Sequence, residues 1–516
     1  MLCRRLDCLF VNPGAANIIY QDLSKRYSAI EPPTWSLLLA QACRSKGFGT
    51  AILDLNAERI TEEQAIQRVK ECDPRLVCFT VYGQNPNSGT TEMTGATSLA
   101  KKLRQRYPEY KICFVGSHTS ALPLDVLSYP FVDFVLLNEG VYALQHLLSS
   151  NLKDCLGNIN GIGYKEDGGI LKLNDPEKPV PTNRMDVDLP GYAWDLLPYE
   201  EKPLDLYRSH FWHADWQDKY RTPFAAIYTS LGCPFKCDFC MINILNRVDN
   251  SPNVTAANSA YVRFWSPEFI IKEFDKLVKL GVYTMRISDE LFFFRRNHFE
   301  SLLKLLKERD YAKDLRMWAY ARIDIANHYK DFSLFEKAGI KALGFGIESS
   351  SNEVRENVSK GAFDVSSIKQ AISKMRDFGM IPGVNYIFGL PKDTIETMQE
   401  TLDLSLELCT ENWNAYACYA LPGSPLYMRA LKLGWKLPTK YSEYSFFSYD
   451  SLPLPTNSLP AADVLEFRDN AFHTYYKHKP FINLIEKRFG QDAKRNIIEM
   501  EKVRLKRKIV EEKYQK

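Results

Sequence analysis

No apolar run in this 516-residue chain approaches the roughly 20 residues that a membrane span requires. Charge of one sign is not in excess either: 66 Lys and Arg against 63 Asp and Glu leave a formal net charge of +3. That is too little to specify nucleic acid or an anionic membrane as partner. Internal repeats and low-complexity tracts are missing, which excludes a solenoid or a long flexible linker. The start, Met1-Leu2-Cys3-Arg4-Arg5-Leu6-Asp7, runs directly into a strand-like stretch, so no leader peptide is expected. Twelve cysteines are present, but scattered through a long chain they do not make a disulfide framework. Cys43, Cys72, Cys78, Cys113, Cys155, Cys409 and Cys418 lie in or beside apolar stretches and read as core thiols in a reducing cytoplasm.

Up to about residue 150, strand-like segments alternate with helical patterns. The strands are expected at Leu6–Val11, Thr50–Leu55, Leu76–Tyr82, Lys111–Val115 and Val132–Leu137, with helices such as Trp35–Lys46 and Thr90–Arg106 between them. Five such units predict a doubly wound parallel α/β sheet that binds ligands at the carboxyl ends of its strands. Residues 151–205 hold a small hairpin turning at Asp167-Gly168 and a proline-punctuated connector. A second alternation occupies 206–425, with strands at Phe224–Ser230, Thr284–Ser288, Arg316–Tyr320, Ala342–Gly346, Gly383–Phe388 and Trp413–Tyr419. Six β-α units fit a partial barrel better than a second open sheet, and barrel chemistry also sits at the carboxyl ends of strands. Residues 426–516 are aromatic and helical; the basic run Lys502, Arg504, Lys506, Arg507 and Lys508 is flanked by acids and reads as a solvated face.

The first barrel strand leads into Leu231-Gly232-Cys233-Pro234-Phe235-Lys236-Cys237-Asp238-Phe239-Cys240. Three thiolates on one loop leave one iron of a four-iron cluster without a protein ligand, open to bind and reduce a small molecule. Zinc would want a fourth Cys or His nearby, and none is close in sequence. A C-x-x-C redox pair at Cys237 and Cys240 would not need Cys233. The loop resembles the C-x-x-x-C-x-aromatic-C signature of the radical S-adenosylmethionine (SAM) superfamily, with Phe239 in the aromatic place. The resemblance implies a [4Fe-4S] cluster on Cys233, Cys237 and Cys240, with SAM chelating the open iron and being split reductively to a 5′-deoxyadenosyl radical.

Later strand ends carry further similarities. Arg286-Ile287-Ser288-Asp289-Glu290 resembles the segment that holds the SAM amino group; Asp289 and Glu290 are both candidates, and either could instead cap a helix. Arg322, after the third strand, would pair with the SAM carboxylate or, structurally, with Asp324. Gly344-Phe345-Gly346-Ile347-Glu348-Ser349 is similar to the family's G-I-E-S segment, which implies Glu348 or Ser349 at the ribose or methionine part. Asn385-Tyr386-Ile387-Phe388-Gly389-Leu390-Pro391 looks like the adenine-contacting segment, implicating Asn385 and Gly389.

The first 150 residues are similar to the cobalamin-binding domain that precedes the barrel in one radical SAM class. The implied contacts are Tyr82, Gly83, Gln84, Asn85 and Ser88 after the third strand, Gly116, Ser117 and His118 after the fourth, and Asn138, Glu139 and Gly140 after the fifth. Glycine lets backbone approach a flat macrocycle, and amide or hydroxyl side chains can bond its peripheral amides. The D-x-H-x-x-G motif is missing, which implies cobalt without a protein histidine beneath it; His118 reads as a hydrogen-bonding loop residue rather than a ligand.

This resemblance implies radical C-methylation of an unactivated carbon in a small-molecule substrate, a carbohydrate or natural-product intermediate, with one SAM as methyl source and a second as radical source. It also implies an electron donor such as flavodoxin or ferredoxin. The alternatives are cyclisation or rearrangement with the same cofactors, or a non-catalytic sensor module. Tyr441–Tyr449 is a candidate cavity wall or, equally, core packing, and Phe211–Trp216 a candidate lining of the cavity entrance, with packing against the first domain preferred for the latter.

Overall fold

A computed structural model describes residues 6–251, 253–361 and 363–515. The expectation made for Met1–Arg5 therefore lies outside the described residues. In the first sheet, β1 (Cys8–Asn12), β2 (Thr50–Asp54), β3 (Leu76–Val81), β4 (Lys111–Gly116) and β5 (Phe134–Leu136) are parallel, in the order 2-1-3-4-5. Helices cover both faces, so central β3 is buried along its whole length and needs apolar residues in both registers. Leu9, Val11, Val77 and Phe79 face one core; Cys8, Phe10, Leu76 and Cys78 face the other. The second core continues without a break into the barrel domain.

The hairpin expected near 161–170 is β6 (Ile162–Lys165) and β7 (Leu171–Leu173). It does not stand alone: β6 pairs antiparallel with β5, so the hairpin extends the first sheet to seven strands and covers an edge that would otherwise be open.

The barrel begins with β8 (Phe224–Ile227), followed by a short antiparallel ribbon, β9 (Ser230–Leu231) with β10 (Arg263–Phe264). Then come β11 (Thr284–Ile287), β12 (Arg316–Ala321), β13 (Ile340–Glu348), β14 (Ile381–Phe388) and β15 (Asn412–Ala417). β8 and β11–β15 form one parallel sheet in chain order. This is the expected incomplete (β/α)6 barrel. Helices Pro267–Lys279, Val365–Asp377 and Ile395–Leu408 start on the side-chain caps Ser266, Asp364 and Thr394.

The strands alternate in accessibility. Tyr320 on β12, Gly346 on β13, Asn385 and Ile387 on β14, and Asn414 and Tyr416 on β15 are partly accessible, while the residues between them are buried. A period of two means that one face of the curved sheet looks onto open space. That space is the barrel lumen. Its lower part is closed by Trp212 and His213, whose rings lie 5.2 and 4.5 Å from Trp318. Packing of Phe211–Trp216 against the first domain holds for Phe211, 5.9 Å from Tyr27; the next two residues fill the barrel. Phe446, from the expected aromatic wall, stands 4.5 Å from Tyr416.

Three expectations need correction. Cys72 and Cys155 are exposed rather than in the core, because they fall at the end of a surface helix and in a turn. Arg507 is not on a solvated face: its guanidinium is buried, bonding Asp469 at 2.8 Å and the carbonyls of Ser448 and Phe446 at 3.0 and 2.9 Å.

Candidate functional site

The three cysteines follow β9 on a loop shaped by its own backbone. Gly232 has φ +89°, and a Cβ there would stand 2.0 Å from the Tyr261 carbonyl oxygen, so only glycine fits. Its N–H donates to Glu290 at 3.1 Å. The Cys233 N–H donates to Asn243 Oδ1 at 2.7 Å, and the Asn243 amide returns a bond to the Cys233 carbonyl. Asp238 pins the middle of the loop: its N–H donates to Val358 O at 2.9 Å and its carbonyl accepts from Leu426 at 2.8 Å. Burial, reinforced by the neighbouring thiols, pushes Cys233 and Cys240 up to about 12. Grouped soft donors of this kind shed their protons to a metal. Among the described residues no three His, Cys, Asp or Glu side chains form a single-ion site; a cluster instead spreads its thiolates over separate irons.

Around this loop stand the later strand ends. Asp289 and Glu290, inseparable in sequence, have different surroundings. Asp289 accepts from the Thr229 N–H, the Thr229 hydroxyl and the Ser230 hydroxyl, each at 2.6 Å, so it clasps the end of β8; burial pushes it up to about 6. Glu290 stays beside the cysteine loop, and burial pushes it up to about 8. Arg322 pairs with Asp324 through Nε at 3.1 Å and Nη2 at 2.9 Å, and donates to the Lys360 carbonyl at 3.0 Å. The same guanidinium lies 3.8 Å from the ring centroid of Phe235 on the cysteine loop. Glu348, in a left-handed conformation (φ +67°), accepts from Lys360 Nζ at 2.7 Å. Phe239 packs with Val354 and Leu390 beneath the loop.

Ser349 turns away, 3.3 Å from Thr401 on the outer helix Ile395–Leu408. Asn385 lies on the accessible lumen face, in register with Gly346. The turn at Gly389 is held by Asp393, which accepts from the N–H groups of Gly389 and Leu390 at 3.0 and 2.9 Å.

The carboxyl edge of the first sheet faces the cysteine loop. Tyr82 stacks on Trp35 at 4.9 Å with planes 6° apart, and its phenol meets that of Tyr228 from the barrel. Gly83, Gln84, Asn85 and Ser88 form a partly accessible rim. Asn85 accepts from the Asn87 N–H at 3.0 Å, and the Ser88 carbonyl accepts from Thr91. Gly116 lets β4 pass β3: a Cβ there would lie 2.1 Å from Val81 O. Ser117 Oγ donates to Pro86 O at 2.6 Å. His118 is buried, with Nδ1 3.1 Å from Thr90 Oγ1, and burial pulls its pKa down to about 4. Asn138 donates to the carbonyls of Glu177 and Arg247 at 2.9 and 2.8 Å, while Glu139 is ion-paired with Arg263 on β10. Both thus tie the first domain to the polypeptide around the ribbon. Gly140 (φ +74°) opens the helix Val141–Ser149.

Sequence reasoning passed over several residues. Glu92 sits behind the rim, 3.4 Å from a Cβ placed on Gly83; one carboxyl oxygen is buried without a partner, and burial pushes the group up to about 8. A neutral carboxyl with an unused polar atom suits a ligand rich in amides, and the rim's glycine and amides suit it equally. Asn87 accepts the Met241 N–H at 3.0 Å and so joins the two domains at the cysteine loop. Lys360 and Arg263 gave no local signal, because each acts on a residue well removed in sequence; Asp393 acts within its own turn, on Gly389 and Leu390, and was simply passed over.

An open sheet whose ligand edge is turned onto a three-cysteine loop at the mouth of a half-barrel defines a protein with two apposed cofactor sites. Residues 227–405 match the family model of the radical SAM superfamily, and residues 23–148 that of the B12 binding domain. The chain belongs to the cobalamin-dependent radical SAM enzymes, whose cofactors are a [4Fe-4S] cluster, SAM and cobalamin. It is 25% identical over 423 residues to an uncharacterized methyltransferase of Pyrococcus horikoshii, covering 80% of this chain and 82% of that one. It is 22% identical over 497 residues to the anaerobic magnesium-protoporphyrin IX monomethyl ester cyclase of Rubrivivax gelatinosus, covering 92% and 78%. The fold matches that of the radical SAM methyltransferase TsrM from Kitasatospora setae with a TM-score of 0.63 at 16% identity, over 92% of this chain and 89% of that one. Among the described residues no helix is long and apolar enough to cross a membrane.

Proposed function

We propose that this protein is a methyltransferase that places a methyl group on an unactivated carbon of a small molecule held in the barrel lumen. The observation that carries the reading is the apposition of the two cofactor edges, marked by the 3.0 Å bond from Met241 N–H to Asn87. Cysteines 233, 237 and 240 hold the cluster, and Glu290, Arg322, Glu348, Asn385 and the backbone at Gly389 surround SAM. Of the earlier candidates, Asp289 and Ser349 serve the strand end and the outer helix instead. Tyr82, the rim from Gly83 to Ser88, and Gly116 to His118 receive cobalamin, while Asn138 and Glu139 hold the first domain against the barrel and Gly140 shapes the turn into the helix Val141–Ser149.

When bound, these cofactors supply a transferable methyl group and a hydrogen-abstracting radical. The chain supplies position and dryness. Tyr320, Asn414 and Tyr416 offer phenol and amide groups to a substrate in the lumen, and the Trp212–His213–Trp318 floor closes it to water. Rings with polar tips suit a carbohydrate or another polar, ring-bearing intermediate. Electrons come from a flavodoxin or ferredoxin-like donor.

Anaerobic incubation with SAM and a reductant tests this: methyl transfer forms S-adenosylhomocysteine and 5′-deoxyadenosine together. The similarity to a cyclase over nearly the whole chain favours one other reading, ring closure without methyl transfer. In that case 5′-deoxyadenosine forms with little S-adenosylhomocysteine.

A further inference from the structure

The amide of Asn87 has only one orientation open to it. Its Oδ1 accepts the Met241 N–H at 3.0 Å, so the other arm of the amide must be the NH2 group. That Nδ2 lies 3.7 Å from Cys240 Sγ; Oδ1 lies 3.9 Å from the same sulfur, but only a protonated thiol can donate to it, so a thiolate takes its bond from Nδ2. The residue does not swing freely. Asn85 Oδ1 holds its backbone N–H at 3.0 Å, and the preceding residue, Pro86, is held by Ser117 Oγ at 2.6 Å. Gly89 leaves no room for the short helix Pro86–Ser88 to move toward the sheet, since a Cβ there would stand 2.1 Å from the same Ser117 oxygen. Asn87 therefore belongs to the rigid rim of the first domain, while the sulfur it meets belongs to the barrel.

We propose that Asn87 is a positioning residue that donates an N–H to the thiolate of Cys240 and thereby raises the reduction potential of the cluster. The inference rests on the reading of Cys233, Cys237 and Cys240 as cluster ligands. A hydrogen bond to a ligand sulfur withdraws charge from the cluster and stabilises the form carrying the added electron. Because the donor comes from the rim that receives cobalamin, the two sites are joined by one side chain. The charged groups Glu290, Lys360 and Arg322 beside the loop bond Gly232, Glu348 and Asp324 respectively, and none of them bonds Cys240.

The test is an anaerobic redox titration of the reconstituted full-length protein, followed by the electron paramagnetic resonance signal of the reduced cluster. Asn87→Leu keeps the side-chain size and removes the donor; Asn87→Ala removes it without added bulk; Asn87→His supplies a new one. The midpoint is expected to move to more negative potential in the Leu and Ala variants and back toward wild type in the His variant. A midpoint unchanged from wild type in the Leu variant, or in the Ala variant if the Leu variant does not take up a cluster, overturns the proposal. A wild-type protein that binds no cluster would instead overturn the reading of the three cysteines, so the two failures are distinct. A role confined to folding would leave the potential of the assembled cluster where it was.

Discussion

Glu31, from the first domain, accepts two hydrogen bonds from Arg286 Nη1 on β11, at 2.9 and 2.8 Å, and both side chains are about 95% buried. The guanidinium also lies 5.4 Å from the Trp318 ring centroid and 5.9 Å from that of Tyr320. One ion pair thus bridges the domains at the lumen wall. Removing one partner strands a buried charge, at a cost of about 3–5 kcal/mol, whereas removing both leaves nothing to strand. Glu31→Gln is expected to destabilise the protein by that order, and Glu31→Gln with Arg286→Met by clearly less. Urea unfolding of the two single variants and the double variant checks this; equal losses in all three would show that the charge is not the issue.

Substituting serine for Cys233, Cys237 or Cys240 removes a soft ligand while leaving the loop's backbone bonds to Glu290, Asn243 and Val358 in place. Each variant is expected to fold like wild type yet lose iron and its visible charge-transfer absorption after reconstitution. Iron analysis beside circular dichroism is the measurement. Full iron retention in any one of them would remove that residue from the ligand set.

His118 is neutral in the fold because burial pulls its pKa from 6.5 to about 4. In the unfolded chain it takes up a proton near 6.5, so the unfolded state binds more protons between those values and stability falls as pH falls through that window. The loss between pH 7 and pH 5 is about 2 kcal/mol from this group. In His118→Gln, which keeps a partner for Thr90, that part of the acid sensitivity is expected to vanish. Chemical denaturation of the cobalamin-free protein at the two pH values measures it.

Tyr82 stacks on Trp35 and also reaches Tyr228. Tyr82→Phe retains the stack, while Tyr82→Ala loses it together with the wall of the rim. Aromatic pairs contribute roughly 0.5–1.5 kcal/mol beyond the area they bury. Cobalamin retention is therefore expected to drop by about an order of magnitude in the Ala variant and little in the Phe variant. Equilibrium dialysis against cobalamin measures it, and equal retention in both would place the macrocycle elsewhere.

Much of the fold was legible because its signals are local. Parallel strands buried on both faces read as short apolar runs, and the helices between them carry caps such as Ser266 and Asp364 within their own sequence. The three cysteines share eight residues of chain, so their proximity survives any packing. The strand-end segments were legible as places but not as roles. Asp289 and Glu290 are neighbours with the same functional group, and it is the Thr229 N–H with the hydroxyls of Thr229 and Ser230 that diverts the first to the end of β8.

What the chain alone determined is the presence of two sets of strand-end segments and a three-cysteine loop, because chain order and short-range spacing encode them. Tertiary structure decided which carboxylate faces the cluster loop, where the lumen opens, and that Asn87 reaches Cys240 across 153 residues of chain. The physical reason is that burial and hydrogen-bond partnership depend on what the remaining polypeptide brings to each group, and composition and spacing carry no record of neighbours so distant.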